Sequence, residues 1–327
     1  MKIPIIYSDE YLLHAPPLHH AENPERLRVA LSNLKNNPIL SPENVGEEEP
    51  KIIHEQDYVN LVKLSSKRAE WLDADTYTNE YTWKSALLAL GGSLTAYKNQ
   101  GFALVRPPGH HAGKAGRAFG APTLGFCIFN NISYPILKFN LKRVAIIDFD
   151  VHYGNGTQDI FWDNPEVVHI DVHQDPHTLY PGTGFPDMIG EGEAKGTKIN
   201  LLLPPLSGDD LYEELFPLIQ SILDDYKPSV IAFSAGFDGF EGDGLASLRA
   251  TERTYYNFGL LGLKRRFYAI LEGGYSIGLE RGLKAFVGGL EGEKKEYIGT
   301  KSSEKTRSRF QDFLSAERRI LRDYWKV

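Results

Sequence analysis

Short apolar runs recur through the middle of the chain, separated by segments long enough to form helices. The runs are rich in Val, Ile and Phe and occupy 102–105 (FALV), 144–147 (VAII), 167–172 (VVHIDV), 230–235 (VIAFSA) and 267–271 (FYAIL). Short apolar runs with little polar alternation are typical of strands that are buried on both faces of a parallel sheet. The pattern therefore predicts an α/β fold with a central, mainly parallel sheet.

Helical patterns occupy several of the intervening segments. Residues 81–97 and 209–226 are predicted to be helices. Near the C-terminus, apolar residues recur with the spacing of an amphipathic helix that packs against the domain, at Phe310, Phe313, Leu314, Leu321 and Tyr324. Residues 291–308 are charge-dense and poor in apolar side chains, which predicts a surface loop.

Composition limits the classes of protein that fit the chain. The 327 residues are 42% hydrophobic, enough for a large core, and we expect residues 1–327 to form one domain. No run approaches the roughly 18 to 20 apolar residues of a membrane helix, and the N-terminus lacks a signal-peptide pattern. We therefore expect a cytoplasmic protein without membrane association. The net charge of -7 argues against direct nucleic-acid binding. The single cysteine, Cys127, excludes an internal disulfide, so a zinc site would depend mainly on His and carboxylate ligands.

Polar and glycine-rich segments directly follow four of the apolar runs. RPPGHH follows 102–105, DFDVHYGNG follows 144–147, GFDGFEGD follows 230–235 and EGGYS follows 267–271. Ligands of open α/β sheets bind at the carboxyl ends of the strands. The four segments are therefore expected to form one site.

The segment DFDVH contains candidate metal ligands. If the strand continues, Asp148, Asp150 and His152 emerge on one face. Asp150 and His152 could then share a metal with Asp238 from another strand, leaving a fourth position for water, as in catalytic zinc sites. An isolated D-x-H is more often structural, with the aspartates capping the next helix. The neighbouring motifs favour the metal site.

Two adjacent histidines and one tyrosine complete the candidate chemistry. His110 and His111 follow a rigid Pro-Pro-Gly turn, so one could be a neutral general base and the other could be held charged by a carboxylate. A pair of exposed loop histidines is the alternative, and it is less favoured directly after a buried strand. Tyr275 follows two glycines and could donate to an oxyanion, although packing is the commoner role of such a tyrosine. The glycines at 154–156 and 181–184 lack phosphate-loop spacing, which excludes nucleotide binding.

The motifs RPPGHH, DFDVHYGNGTQ, YPGTGF, SAGFDGFEGD and LEGGY occur in this order. Together they resemble the zinc-dependent histone deacetylase family, and their spelling is similar to its class II branch. The resemblance extends from 14–27 to the C-terminal RRILRDYW and includes deacetylase-like and acetylpolyamine amidohydrolase members. It implies an arginase/deacetylase-type three-layer αβα fold. It also implies removal of acetyl or related acyl groups from lysine side chains of peptides or proteins, or from small amines such as polyamines.

The resemblance further assigns roles to individual residues. Asp150, His152 and Asp238 would hold zinc, with a water in the open position. His111, with Asn155 as its partner, would be the general base and acid. His110, backed by Asp148, would act electrostatically, and Tyr275 would donate to the substrate carbonyl. The implied substrate-binding residues are Phe126 and Tyr180 as walls of a narrow apolar channel, Gly125 beside them, and Asp75 and Leu245 at the rim.

The resemblance implies potassium as a second ion, and the chain departs from the family pattern near that site. The implied potassium ligands are Asp148, Asp150, His152, Asp171 and Val172. Tyr153 stands where a second histidine is usual and Asp171 where a small hydroxyl residue is common, and both argue against the ion. Leu245 replaces an acidic residue of some polyamine-selective relatives, which favours acyl-lysine or a neutral amide.

Two rival functions remain. A binuclear ureohydrolase of the same fold needs further carboxylates, but Gly154 and Phe240 stand where they would be needed. A non-catalytic sensor of acylated ligands is opposed by the presence of both histidines, all three metal ligands and Tyr275.

Overall fold

A computed structural model describes residues 2–327. Its strands are Ile5–Ile6 (β1), Ile39–Leu40 (β2), Phe102–Ala103 (β3), Val144–Asp148 (β4), Val167–Gln174 (β5), Lys198–Leu203 (β6), Val230–Ala235 (β7) and Phe267–Leu271 (β8). Its α-helices are Glu25–Ser32 (α1), Gln56–Arg68 (α2), Thr82–Asn99 (α3), Ser133–Lys138 (α4), Asn155–Ile160 (α5), Asp209–Tyr226 (α6), Glu252–Gly262 (α7), Leu283–Leu290 (α8) and Glu304–Leu321 (α9). Short 3-10 helices span Asp9–Leu13, Glu49–Ile52 and Gly192–Ala194, and one π-helical turn spans Gly278–Gly282.

The strands within residues 2–327 form one sheet in the order β2-β1-β3-β8-β7-β4-β5-β6, and all neighbours are parallel. Every residue of β4 to β8 is buried. Successive side chains of a strand point to opposite faces, so both faces of the sheet are covered. The result is the three-layer αβα architecture that the family resemblance implies, built on the parallel sheet that the apolar runs predict.

The five predicted strands are all present, and the helices predicted at 81–97 and 209–226 correspond to α3 and α6. The predicted loop at 291–308 is too long, because its last five residues belong to α9. Ser303 begins that helix as an N-cap whose hydroxyl accepts a hydrogen bond from the backbone N–H of Thr306. No helix in the described part of the chain combines the length and the apolar character that a bilayer span needs.

Candidate active site

The order of the central strands places a crevice at the carboxyl end of β4. From β4 the chain runs outward through β5 to β6, and it then returns to the other side of β4 at β7. The loops that follow β4 and β7 therefore separate, and such switch points are where ligands bind in open α/β sheets. Asp148, the last residue of β4, is in register with Asp171 on one side and Ser234 on the other.

Asp150, His152 and Asp238 converge at this crevice. His152 Nδ1 lies 3.2 Å from Asp150 Oδ1 and 3.0 Å from Asp238 Oδ2. One ligand atom from each of the three side chains lies within 4.8 Å of the others. The remaining oxygen of each carboxylate is fixed by the backbone, because Asp150 Oδ2 accepts from Gly273 N and Asp238 Oδ1 accepts from Val151 N. The three groups are thus oriented toward one point.

Side-chain hydrogen bonds turn the chain between Asp148 and His152. The regular strand ends at Asp148, so it does not continue through His152. Asp148 Oδ1 accepts from the N–H of Asp150, and Asp150 Oδ1 accepts from the N–H of His152, at 3.1 and 2.9 Å. These local turns, which Asp side chains favour, bring Asp150 and His152 together without an extended strand.

Two glycines leave the space that the carboxylates occupy. A Cβ on Gly236 would lie 2.1 Å from Asp150 Oδ2, and a Cβ on Gly273 would lie 2.3 Å from Asp238 Oδ2. No real side chain tolerates these distances. Gly109 has the same property beside the histidines, since its Cβ would lie 2.2 Å from the carbonyl oxygen of Phe129.

His110 is held by a buried carboxylate. Its Nδ1 lies 3.0 Å from Asp148 Oδ2, and its Nε2 lies 3.8 Å from Asp150 Oδ1. Burial by itself lowers the pKa of His110, but the charges of Asp148 and Asp150 raise this pKa well above its ordinary value. This geometry favours a positively charged imidazole.

His111 is held in the opposite state by an amide. Asn155 donates from Nδ2 to the carbonyl of Ala118, so its Oδ1 faces His111 Nδ1 at 2.7 Å. The proton of a neutral His111 then lies on Nδ1, which leaves a lone pair on Nε2. Burial, helped by the charges of His110 and His152, lowers the pKa of His111 well below its ordinary value. The two adjacent rings, with centroids 4.0 Å apart, therefore differ in charge.

Tyr275 is half-buried at the end of the loop that follows β8. The guanidinium of Arg26 lies 4.8 Å from the centre of its ring, and Arg26 also donates to the carbonyls of Gly274 and Glu272. Burial, together with the charge of Asp238, raises the pKa of Tyr275 well above its ordinary value, so the phenol keeps its proton. Tyr275 is thus a hydrogen-bond donor at neutral pH.

Aromatic rings surround the approach to these groups. Tyr180 packs edge-on against His111 with centroids 4.9 Å apart, and Phe126 lies 6.0 Å from Tyr275. Gly125 lies beside His111 and Tyr180, where a side chain has no room. A Cβ at this position would lie 2.5 Å from His111 Cδ2 and 2.9 Å from Tyr180 Cε1. The walls that the resemblance implies are therefore beside the histidines and the tyrosine.

The predicted rim residues are less closely tied to the site. The carboxylate of Asp75 accepts from the hydroxyls of Thr123 and Thr76, at 2.6 and 2.7 Å. These bonds attach its loop to the segment that carries Phe126, whose N–H also donates to Thr76 Oγ1. Leu245 is exposed.

Comparison with known proteins identifies the family. The family model described as the histone deacetylase domain matches residues 20–290. The chain belongs to the histone deacetylase family. An uncharacterized protein of Methanocaldococcus jannaschii is 46% identical to this deacetylase family member over 301 residues, which cover 87% of this chain and 86% of the relative.

Further relatives of this histone deacetylase family member carry functional names. A probable deacetylase of Archaeoglobus fulgidus is 35% identical and covers 84% of this chain and 81% of the relative. The crystal structure of the HDA15 HD domain matches with a TM-score of 0.84 at 30% identity, over 99% of this chain and 95% of the other. Membership of the family supports the interpretation that the chain is a hydrolase of the deacetylase type.

The donor set in this histone deacetylase family member fits zinc. Two carboxylate oxygens and one imidazole nitrogen converge, and zinc binds O and N ligands of this kind, with an open position in catalytic sites. Phe240 stacks on Tyr255 in the core, with centroids 6.0 Å apart, and so supplies no ligand for a second ion.

The predicted potassium position lies beside this donor set. Asp171 and Val172 are on β5, and the carboxylate of Asp171 contacts His173 Nδ1 at 2.6 Å and accepts from Gly154 N at 2.8 Å. The side chain that departs from the family pattern is therefore already hydrogen bonded within the protein.

Sequence reasoning missed one residue that organises the histidine loop. Glu272 is fully buried, and its Oε2 accepts from the N–H groups of Gly109 and His110 at 2.8 and 3.1 Å. The signal was available, because Glu272 directly follows the last apolar run in LEGGY. A carboxylate at the carboxyl end of a buried strand is as informative as the aspartates that follow the other runs.

Proposed function

We propose that this chain is a zinc-dependent deacetylase that removes acetyl or related acyl groups from lysine side chains or similar amines. The observation that carries the proposal is the convergence of Asp150, His152 and Asp238 beside a neutral His111 and a protonated Tyr275. Asp150, His152 and Asp238 would hold the metal, which supplies Lewis acidity to the substrate carbonyl and to the attacking water.

In the proposed reaction one histidine transfers protons, and its neighbour and the tyrosine stabilise charge. His111 Nε2 takes a proton from the attacking water, because Asn155 fixes the other proton on Nδ1. The same nitrogen then returns a proton to the leaving amine. His110, paired with Asp148, keeps a positive charge beside the reacting atoms. The Tyr275 hydroxyl donates to the oxygen on which negative charge develops.

Phe126 and Tyr180 are proposed to form the walls of a channel for the alkyl chain of the amine, with Gly125 leaving room between His111 and Tyr180. Asp75 would bind the substrate backbone at the rim. Potassium at Asp148, Asp150, His152, Asp171 and Val172 stays a prediction, as do cytoplasmic localisation, the single domain and the absence of nucleic-acid binding.

A substrate panel with three matched proteins tests the proposal. The zinc-loaded wild type should hydrolyse at least one of three classes: acetyl-lysine peptides, acetylpolyamines and longer acyl-lysines. Asp238→Ala should lose the metal, because two ligands remain. His111→Ala should retain zinc and lose most of kcat. Metal content is measured by mass spectrometry and turnover by product formation.

The outcomes separate the alternatives. Turnover of acetylpolyamines alone would assign the small-amine branch, despite Leu245. A zinc-loaded wild type that binds acetylated ligands without turning them over would instead indicate a sensor. Two metals per chain would indicate a binuclear enzyme.

A further inference from the structure

Asp243 is a buried carboxylate on the loop that also carries the metal ligand Asp238. It is 5% exposed, whereas its neighbours Gly242 and Gly244 are exposed. Both glycines have positive φ, 85° and 116°, a conformation that other residues rarely adopt. The two glycines therefore turn the loop so that Asp243 faces inward.

The carboxylate of Asp243 binds the backbone of the Tyr275 segment. Its Oδ2 accepts from the N–H of Tyr275 at 2.7 Å, and its Oδ1 accepts from Ser276 N at 2.9 Å and Gly278 N at 2.8 Å. The hydroxyl of Ser276 donates to the Asp243 carbonyl at 2.9 Å. Hydrogen bonds to an ionised carboxylate are among the stronger ones in proteins. Asp243 thus fixes the chain on the C-terminal side of Gly274.

Gly274 joins the loop that follows β8 to Tyr275 through a backbone conformation that favours glycine. Gly274 has a φ of 109°, and the backbone pairing between the loops after β7 and β8 ends before it, with Phe237 N donating to Gly273 O at 3.1 Å. Beyond Gly274, the ring of Tyr275 contacts Arg26, and its backbone is held by Asp243. One carboxylate therefore links the loop of Asp238 to the residue that carries the phenol.

We propose that Asp243 is a positioning residue that sets the Tyr275 hydroxyl relative to the metal ligands. The inference rests on the proposed deacetylase reaction, in which Tyr275 donates to the developing oxyanion. Donors of this kind act only when they meet the position that the oxyanion will occupy. Asp243 itself touches no reacting atom.

Asp243→Asn tests the proposal with little change in shape. The amide replaces one acceptor oxygen by a donor, so at least one N–H of the Tyr275 segment loses its partner. We expect kcat to fall by about 10- to 100-fold, with KM within about twofold and zinc content unchanged. Unchanged kcat would overturn the proposal. Ser276→Ala, which removes one donor to Asp243 at an exposed position, should lower kcat in the same direction by about two- to fivefold.

Asp209→Asn is the matched control. Asp209 is also buried and accepts from three backbone N–H groups, those of Thr251, Thr254 and Thr300, none of which is a proposed site residue. It should change thermal stability and leave kcat close to the wild-type value. Equal losses of kcat in the two variants would assign Asp243 a merely structural role.

A double-mutant cycle distinguishes positioning from general damage. If Asp243 acts through the Tyr275 hydroxyl, Asp243→Asn should have little further effect on kcat in a Tyr275→Phe background. The same fold-loss in both backgrounds would contradict the proposal.

A final measurement does not depend on turnover. 3-Fluorotyrosine placed only at position 275 of the zinc-loaded full chain should give one narrow ¹⁹F resonance in the wild type and in Asp209→Asn. Asp243→Asn should give a broadened or split resonance. If this difference appears while the wild type hydrolyses no substrate, the proposed function fails and the positioning role stands. A narrow, unshifted resonance in Asp243→Asn would refute the positioning role.

Discussion

The charge state of each histidine in the crevice depends on the group that faces its Nδ1 atom. His110 and His111 are neighbours in sequence, yet one faces a carboxylate and the other an amide oxygen. The carboxylate beside one imidazole and the amide oxygen beside the other separate two pKa values that would otherwise be equal. In the proposed reaction, the division between an electrostatic and a proton-transferring imidazole would therefore be set by Asp148 and Asn155.

Tyr275→Phe isolates the contribution of one hydroxyl. We expect kcat to fall by about 10²- to 10³-fold, because a single oxyanion donor is removed while the ring and its contact with Arg26 remain. Zinc content and thermal stability should match the wild type. Steady-state kinetics with parallel metal analysis checks the prediction. Tyr81→Phe, at an exposed tyrosine, should have no effect, and full activity of Tyr275→Phe would remove the oxyanion role.

The sequence locates the residues that carry chemistry better than those that leave room for it. Asp150, His152 and Asp238 follow apolar runs, and this placement together with the neighbouring motifs predicts that they converge. Gly236 and Gly273 cannot, because their requirement is space beside a carboxylate from another strand. Asp243 is missed for a related reason, since its partners are backbone N–H groups more than thirty positions away in the chain.

Among the secondary-structure elements, the five strands that lie in recognisable apolar runs are predicted, whereas β1, β2 and β6 are not. β1 and β2 have two residues each, too few for a recognisable pattern. β6 contains Lys198 and Asn200, which interrupt its apolar run. Lys198 is nevertheless buried, because its Nζ donates to the carbonyls of Val167 and Asn164. Such partners are known only once the strands are assembled.

Helix α9 buries one acidic side chain, that of Glu317, on the apolar face that packs against the domain. Glu317 is buried with Phe310, Leu314 and Leu321, and within residues 2–327 neither of its carboxylate oxygens has a hydrogen-bond partner. Burial raises the pKa of Glu317 well above its ordinary value. Glu317→Leu should therefore increase the free energy of unfolding by about 1–3 kcal/mol, since the cost of burying an unpaired polar group is removed.

Denaturant unfolding of the wild type and Glu317→Leu measures this effect. Asp312→Leu, on the exposed face of the same helix, is the control and should change stability by less than about 0.5 kcal/mol. A lower stability of Glu317→Leu would show that the carboxylate stabilises the helix.

For the molecule as a whole, buried neutral histidines make stability depend on pH. His54 donates from Nδ1 to the Gly113 carbonyl and accepts at Nε2 from Asn130 N, and burial lowers its pKa to about 4. Below about pH 6.5 the unfolded chain takes up a proton at this histidine that the folded chain does not. The free energy of unfolding should therefore fall as the pH drops from 6.5 toward 4.

His54→Gln should flatten this dependence. Between pH 7 and 4.5 its loss of stability should be smaller than that of the wild type by about 2 kcal/mol, measured by denaturant unfolding of chelator-treated protein. His19→Gln, at an exposed histidine, should keep the wild-type slope. Parallel curves for His54→Gln and the wild type would indicate that the pKa of His54 is the same in the folded and unfolded chains.

The position of β8 affects how the molecule is made. This strand is the last of the sheet in sequence, yet it lies between β3 and β7 and pairs with both. A nascent chain leaving the ribosome must therefore keep the edges of β3 and β7 apart until residues 267–271 emerge. At about 5–20 residues per second, the edge of β3 waits roughly 10 to 30 seconds for its partner. During that interval the unpaired edges offer a template for other strands, and a holding chaperone would be most useful then.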